Sequence, residues 1–340
     1  MAASVSSTRV IYAALIANLL IAFTKAGAAA WTGSSSMMSE AVHSLVDTGS
    51  QGLLLYGQHR SSMQADREHP TGYGRELYFW SFIVALLVFG LGAVVSFSLG
   101  ISHLKDPEPI NDPFVNYLVL ALAFAFESVS WWIALQHCKR VKGPLGYYAA
   151  FRASKNPASF VVLFEDSAAL IGIVIAAVGT FAATSLDMPA LDGIASILIG
   201  VVLAATAGFL ARESKSLLIG ELADRVLSDS LLRIAEVASP NSKANGVLTV
   251  QLEPDQILAA LSLEFADAMR APEVEAAAVE IERQIRAAHP QVLTLFIKPQ
   301  TAAGFKQTVR RRYGDVPEEH GVVVAPTPGA GIPTAPKSSN

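Results

Sequence analysis

Six separate runs of roughly twenty predominantly apolar residues, each long enough to cross a ~30 Å hydrocarbon core as a helix, constrain this chain more than any other feature. They extend from about Val10 to Ala30, Met37 to Tyr56, Leu77 to Ile101, Val115 to Leu135, Ser159 to Thr180 and Leu191 to Leu210. Inside lipid a backbone must satisfy its own N–H and C=O groups, so such runs are expected to be helices rather than loops or open sheet. A composition that is 52% hydrophobic and only 16% charged agrees with an integral membrane protein. Nothing after Leu218 is long enough to span.

The opening "MAASVSSTRV" carries one Arg and leads into about twenty apolar residues, longer than a signal-peptide core, so the first run reads as a retained span. Orientation follows the positive charges. The connection between runs two and three carries Arg60, Arg67 and Arg75, and that between four and five carries Lys139, Arg140, Lys142, Arg152 and Lys155. The other three connections contribute only Lys105. Positive loops stay in the cytoplasm, which puts both termini there. The N-terminus has no transit-like character, so the bacterial cell membrane is the expected location, with an organelle membrane as the alternative. The single cysteine, Cys138, excludes an intramolecular disulfide and a Cys-rich zinc module.

Beyond the last run the pattern becomes that of a soluble domain. "SDSLLRIAEVA" (Ser228 to Ala238) predicts a helix begun by a Ser cap. "VLTVQLEP" and "ILAALSLEFAD" alternate and flank a Pro-Asp turn, predicting a hairpin. Pro272 opens a helix with Val274, Ala278, Ile281 and Ile285 on one face, and "VLTLFIKP" predicts a third strand. The expected architecture is thus an all-α six-helix transmembrane domain (1–212), a small α+β cytoplasmic domain of αββαβ order (213–304) and a disordered tail (305–340). The tail is Pro- and Gly-rich without apolar periodicity, and its "RRR" reads as a solvated charge run.

Eight ionisable residues fall inside the apolar runs: Lys25, Glu40, His43, Asp47, Glu127, Glu165, Asp166 and Asp192. Each charge at mid-bilayer costs about 2.5–3.5 kcal/mol on insertion scales, so such groups face a cavity, a partner or an ion. His43 and Asp47 are four apart, which stacks them on one helix face about 6 Å apart along the axis. Glu40 continues that stripe one turn outward, as a partner of Lys25 or, less favoured, a ligand on the ion's exit path. Glu165 and Asp166 point about 100° apart on a helix, so one should be a ligand and the other a supporting, interface or proton-carrying group. The plainer alternative for the cluster is a set of interhelical hydrogen bonds. Imidazole with carboxylates from two helices suits Zn²⁺, with Fe²⁺, Co²⁺ and Cd²⁺ chemically possible. These ligands lose protons to bind a cation, so proton exchange follows naturally.

"SEAVHSLVDTGSQGLLLYG", "REHPTGYGRELYFWSF", "FEDSAALIG", "DGIASILIGVVLA" and "ARESKSLLIGE", in this order across the six runs, resemble the cation diffusion facilitator family from residue 8 to about 300. The Glu-Asp pair is similar to the branch with mitochondrial-type zinc transporters and their bacterial relatives. The resemblance implies a homodimeric metal/proton antiporter in the lipid bilayer, with an ion site joining two residues of span two to two of span five. His43 and Asp47 match the first pair and Asp166 the second position of the second pair. Its first position falls on Val162, which cannot ligate, so Glu165, Glu127 or water supplies the fourth ligand. Asp66 and His69 sit where many relatives hold an accessory ion, but Tyr73 replaces an expected His, and "HPTGYG" reads more simply as a tight turn. His289 is the only histidine between Glu213 and Gln300, so the soluble domain is expected to dimerise without metal.

Zn²⁺ is accordingly expected as transported substrate, with no organic cofactor and no nucleic-acid partner. Glu127 is expected to hydrogen-bond Ser128 or Ser130 rather than ligate. A passive cation channel is the alternative that uses the same carboxylates. No "HExxH" or "GxSxG" marks a nucleophile, so no enzyme is expected.

Overall fold

In the computed structural model the described residues are 2–142, 155, 157–313 and 323–324. The chain divides into two compact units, Met1–Ile219 and Gly220–Asn340.

The first unit is helical. It comprises α1 (Ala2–Thr32), α2 (Ser35–Ser61), a continuous stretch of α3 (Glu76–Leu87), one π-helical turn (Val88–Ala93) and α4 (Val94–Lys105), then α5 (Pro113–Lys142), α6 (Pro157–Ser185) and α7 (Ala190–Ile219). Between α1 and α2 lie only Gly33, in the left-handed region at φ 75°, and Ser34, whose side chain accepts from the Met37 N–H as N-cap. So short a link makes α1 and α2 neighbours, and α2 also packs on α3, α4, α6 and α7.

Among the described residues, five helices are long and apolar enough to cross a membrane, through Leu15–Thr32, Glu76–Lys105, Pro113–Arg140, Val161–Ser185 and Ala190–Ile219. The sixth expected crossing falls on α2. Its 27 residues reach about 40 Å, but Ser35, Ser36, Ser39, Glu40, His43, Ser44, Asp47 and Ser50 lower its hydropathy. All eight are buried. Helix α2 turns these polar residues to the helices packed on it and leaves outward a stripe of Leu45, Gly49, Gly52 and Tyr56. The other helices also turn apolar side chains outward: Phe23, Phe114, Leu122, Ile133, Val178 and Phe181 are all at least 60% exposed.

Small residues let the helices close on one another. A Cβ on Gly100 of α4 would stand 2.6 Å from the Gly193 carbonyl oxygen of α7, and one on Gly200 would stand 3.2 Å from the Ala93 carbonyl oxygen. Backbones meeting at this range are the membrane's substitute for a hydrophobic driving force between helices.

The second unit contains α8 (Arg225–Ala238), β1 (Ser242–Glu253), β2 (Gln256–Phe265), α9 (Ala271–Ala288), β3 (Val292–Pro299), α10 (Ala302–Tyr313) and the two-residue β4 (Val323–Val324). The sheet order is β3-β2-β1-β4: β1 and β2 form an antiparallel hairpin across Pro254-Asp255, and α9 carries the chain to β3, parallel to β2. Leu231, Leu232 and Ala235 of α8 and Ile281 and Ile285 of α9 close one core with Val247, Leu261 and Leu263 of the sheet. The αββαβ order expected from the sequence is present, with three differences. Helix α8 begins three residues before Ser228, capped by the Asp224 side chain accepting from the Val226 N–H. Strand β1 begins at Ser242, upstream of the alternating segment. Order also continues past residue 304, because α10 covers the start of the segment read as a tail, the Arg310–Arg312 run included, and β4 pairs with β1. Arg152 of the fourth connection and the remainder of the tail lie outside the described residues.

Candidate metal centre

Helix α2 packs against α6, and α6 against α5, so the polar faces of these three helices meet inside the first unit. His43 and Asp47 of α2, Glu127 of α5, and Glu165 and Asp166 of α6 are all buried, none more than 7% exposed. Asp47, Glu165 and Asp166 lie within electrostatic reach of one another, as do Asp47 and Glu127.

Their hydrogen bonds divide them. Asp47 accepts at Oδ2 from Gln51 Nε2 (3.0 Å), one turn on. Asp166 accepts at Oδ2 from Ser130 Oγ of α5 (2.8 Å). Five atoms of the cluster make no hydrogen bond within the geometric limits: both ring nitrogens of His43, Asp47 Oδ1, and both carboxylate oxygens of Glu165, whose neighbour is the Ser50 side chain of α2. An unpartnered buried polar group costs about 1–3 kcal/mol, and more when charged, and these five atoms fall together on the packed faces of α2 and α6, whereas Ser96, His103, Asn116, Thr180 and Ser214 contribute one such atom each. All five are nitrogen or oxygen donors of the kind a borderline divalent cation takes.

As placed, no group of three or more His, Cys, Asp and Glu among the described residues is gathered tightly enough to hold a metal ion. Adjacent positions on α6 supply the reason: Asp166 turns to Ser130 while its neighbour Glu165, about 100° round the helix, does not. Ser130 therefore serves Asp166, not Glu127 as the sequence reading expects.

Outside this cluster, Lys25, Glu40 and Asp192 are each paired. Lys25 Nζ of α1 lies 3.0 Å from Glu40 Oε2 and donates to Ser44 Oγ (2.8 Å), the partnership favoured from sequence. Asp192, in the first turn of α7, accepts from the Ser34, Ser35 and Ser36 hydroxyls and from the Ser35 and Ser36 N–H groups. It thereby ties the start of α2 to α7. Sequence reasoning counts Asp192 but misses this role; three successive serines at a helix start are the signal that points to a shared acceptor.

The loop after α2 satisfies itself. Asp66 accepts from the Glu68 N–H (2.9 Å), the His69 N–H (2.7 Å) and the Tyr73 hydroxyl (2.7 Å), and Gly72 adopts φ 81°. The Tyr73 hydroxyl, then the backbone N–H groups, hold the Asp66 carboxyl down at about 2. This is the tight turn the sequence suggests, with the carboxylate committed to the loop's own donors.

A membrane-length helical bundle that hides imidazole and carboxylates at its centre is the architecture of an integral membrane protein with a polar interior. The family model for the cation efflux transmembrane domain matches residues 11–219. The chain belongs to the cation efflux, or cation diffusion facilitator, family. It is 34% identical over 247 residues to the proton-coupled zinc antiporter SLC30A9, mitochondrial, of Xenopus laevis, covering 72% of this chain and 43% of the relative. It is also 34% identical over 221 residues to metal tolerance protein C4 of Arabidopsis thaliana (64% and 48% covered). To the cation-efflux pump FieF of Escherichia fergusonii the identity is 34% over 117 residues (34% and 38% covered). In each case the match spans less than half of the relative's length.

Proposed function

We propose that the protein moves divalent metal cations, Zn²⁺ foremost, out of the cytoplasm in exchange for protons. It does so as a homodimer with six crossings per chain, α2 being the sixth, with both termini in the cytoplasm and the cell membrane as its location. The observation that carries this reading is the set of unpartnered, buried donor atoms on His43, Asp47 and Glu165, at the packed faces of α2 and α6. Family membership and relatives named as a zinc antiporter and an efflux pump support it.

In this reading His43, Asp47, Glu165 and Asp166 form the transport site. Val162 brings no donor, and Glu165, three residues on, supplies the ligand missing from that position. Asp166 completes the shell by turning from Ser130. The shell closes around a cation that arrives and opens when it leaves, which suits a carrier better than a resident metal site. Cation and proton compete for the same ligand atoms, so release on one side is coupled to protonation there. A rocking motion of the helices about this centre then exposes it alternately to the two sides.

The test is Zn²⁺-driven proton flux in proteoliposomes of the full chain. Wild type should exchange, Asp47→Ala should lose the flux, and Fe²⁺, Co²⁺ and Cd²⁺ in competition rank selectivity. Undiminished flux in Asp47→Ala, or metal flux indifferent to an imposed proton gradient, refutes the proposal.

A further inference from the structure

The fully buried pair of Lys25 and Glu40 stands on the same stripe of α2 as the transport site. Glu40 precedes His43 by three residues and Asp47 by seven, and Ser44, the second acceptor of Lys25, precedes Asp47 by three. The Lys25 ammonium is therefore fixed about one turn from His43, towards the start of α2. Its charge reaches His43, Asp47 and Glu127. Lys25 uses one oxygen of Glu40, whereas Oε1 has no partner. That oxygen lies against Gly172 of α6, in the space a Cβ there would fill. Gly172 follows Glu165 by seven residues, two turns along the same face of α6. The α2–α6 seam that holds the unpartnered atoms of His43, Asp47 and Glu165 thus extends by one more unpartnered oxygen.

Stability alone is a poor reason for such a pair. Buried ion pairs are commonly replaced by apolar residues of like volume without loss. What a fixed cation beside a cation site does provide is competition.

We infer that Lys25 is a tethered counter-cation of the transport site: it occupies Glu40 while the seam is empty, lowers the site's affinity for a divalent ion, and yields Glu40 to the departing ion as a release station. This deepens the transport reading and rests on it.

Zn²⁺ affinity of the detergent-solubilised full chain, measured by calorimetry, tests the inference. A unit charge about one turn away changes divalent affinity by on the order of tenfold even with substantial screening. Lys25→Met should bind Zn²⁺ tighter by about that factor, Glu40→Gln weaker by about that factor, and the double variant should return to within about threefold of wild type. A purely structural pair moves both single variants in the same direction or neither, and either result overturns the inference. Should Lys25→Met fail to fold, the double variant compared with Glu40→Gln decides: removal of Lys25 in that background must still tighten binding about tenfold. A wild type that binds no Zn²⁺ overturns the transport reading and this inference together. A wild type that binds while the variants do not diverge overturns this inference alone.

Discussion

The acceptor at the head of α2 makes a demanding prediction. Asp192 takes hydrogen bonds from Ser34 Oγ (2.9 Å), the Ser35 N–H (2.6 Å), Ser35 Oγ (3.0 Å), the Ser36 N–H (3.1 Å) and Ser36 Oγ, and is fully buried. In Asp192→Ala the three hydroxyls can rotate towards other acceptors, including the Ser34–Ser36 contact already present at 3.2 Å. The two backbone N–H groups cannot. Each stranded donor costs about 1–3 kcal/mol, and the favourable charge at a helix N-terminus adds about 0.3–2 kcal/mol when partly buried. The expected loss is about 3–5 kcal/mol, the range found for breaking a buried charged network from one side. Asp192→Asn keeps one acceptor oxygen but turns an amide towards donors, so it should lose about 1–3 kcal/mol. Equilibrium unfolding in mixed micelles, followed by tryptophan fluorescence, measures both. Asp192→Ala within ~0.5 kcal/mol of wild type, or Asp192→Asn less stable than Asp192→Ala, refutes the reasoning.

Two further outcomes are expected. Gly100→Ala puts a methyl 2.6 Å from the Gly193 carbonyl oxygen and 2.6 Å from Ile197 Cγ1. As the carbonyl is backbone, α4 and α7 must part by about 1 Å, and the variant should lose about 1–3 kcal/mol in the same unfolding assay; unchanged stability would show the helices to be further apart. In the loop after α2, the bonds of ionised Asp66 are fully present above its ordinary value of 3.8 and are lost as pH falls through about 2. Tyr73→Phe removes the first of those donors, so the Asp66 titration followed by carboxyl ¹³C NMR should move up towards 3.8; a titration unmoved by the substitution counts against the hydroxyl's role.

Much of the fold and part of the candidate site were legible in the chain itself. Apolar runs of spanning length have one economical solution in lipid, so membrane helices followed from hydropathy alone. Alternation around Pro254-Asp255 marked the β1–β2 hairpin, and the i, i+4 spacing of His43 and Asp47 put them on one face. Periodicity of this kind reports which face of an element is buried. It does not report which neighbour covers that face. Tertiary packing therefore decided that Ser130 serves Asp166 rather than Glu127, that Glu40 spends one oxygen on Lys25 and rests the other against Gly172, and that Asp192 binds the serines at the start of α2. It also decided that the polar face of α2 is turned inward against other helices. Each of these rests on groups 15 to 158 residues apart meeting across a helix interface. That proximity comes from how whole helices pack, a property no local stretch of sequence encodes.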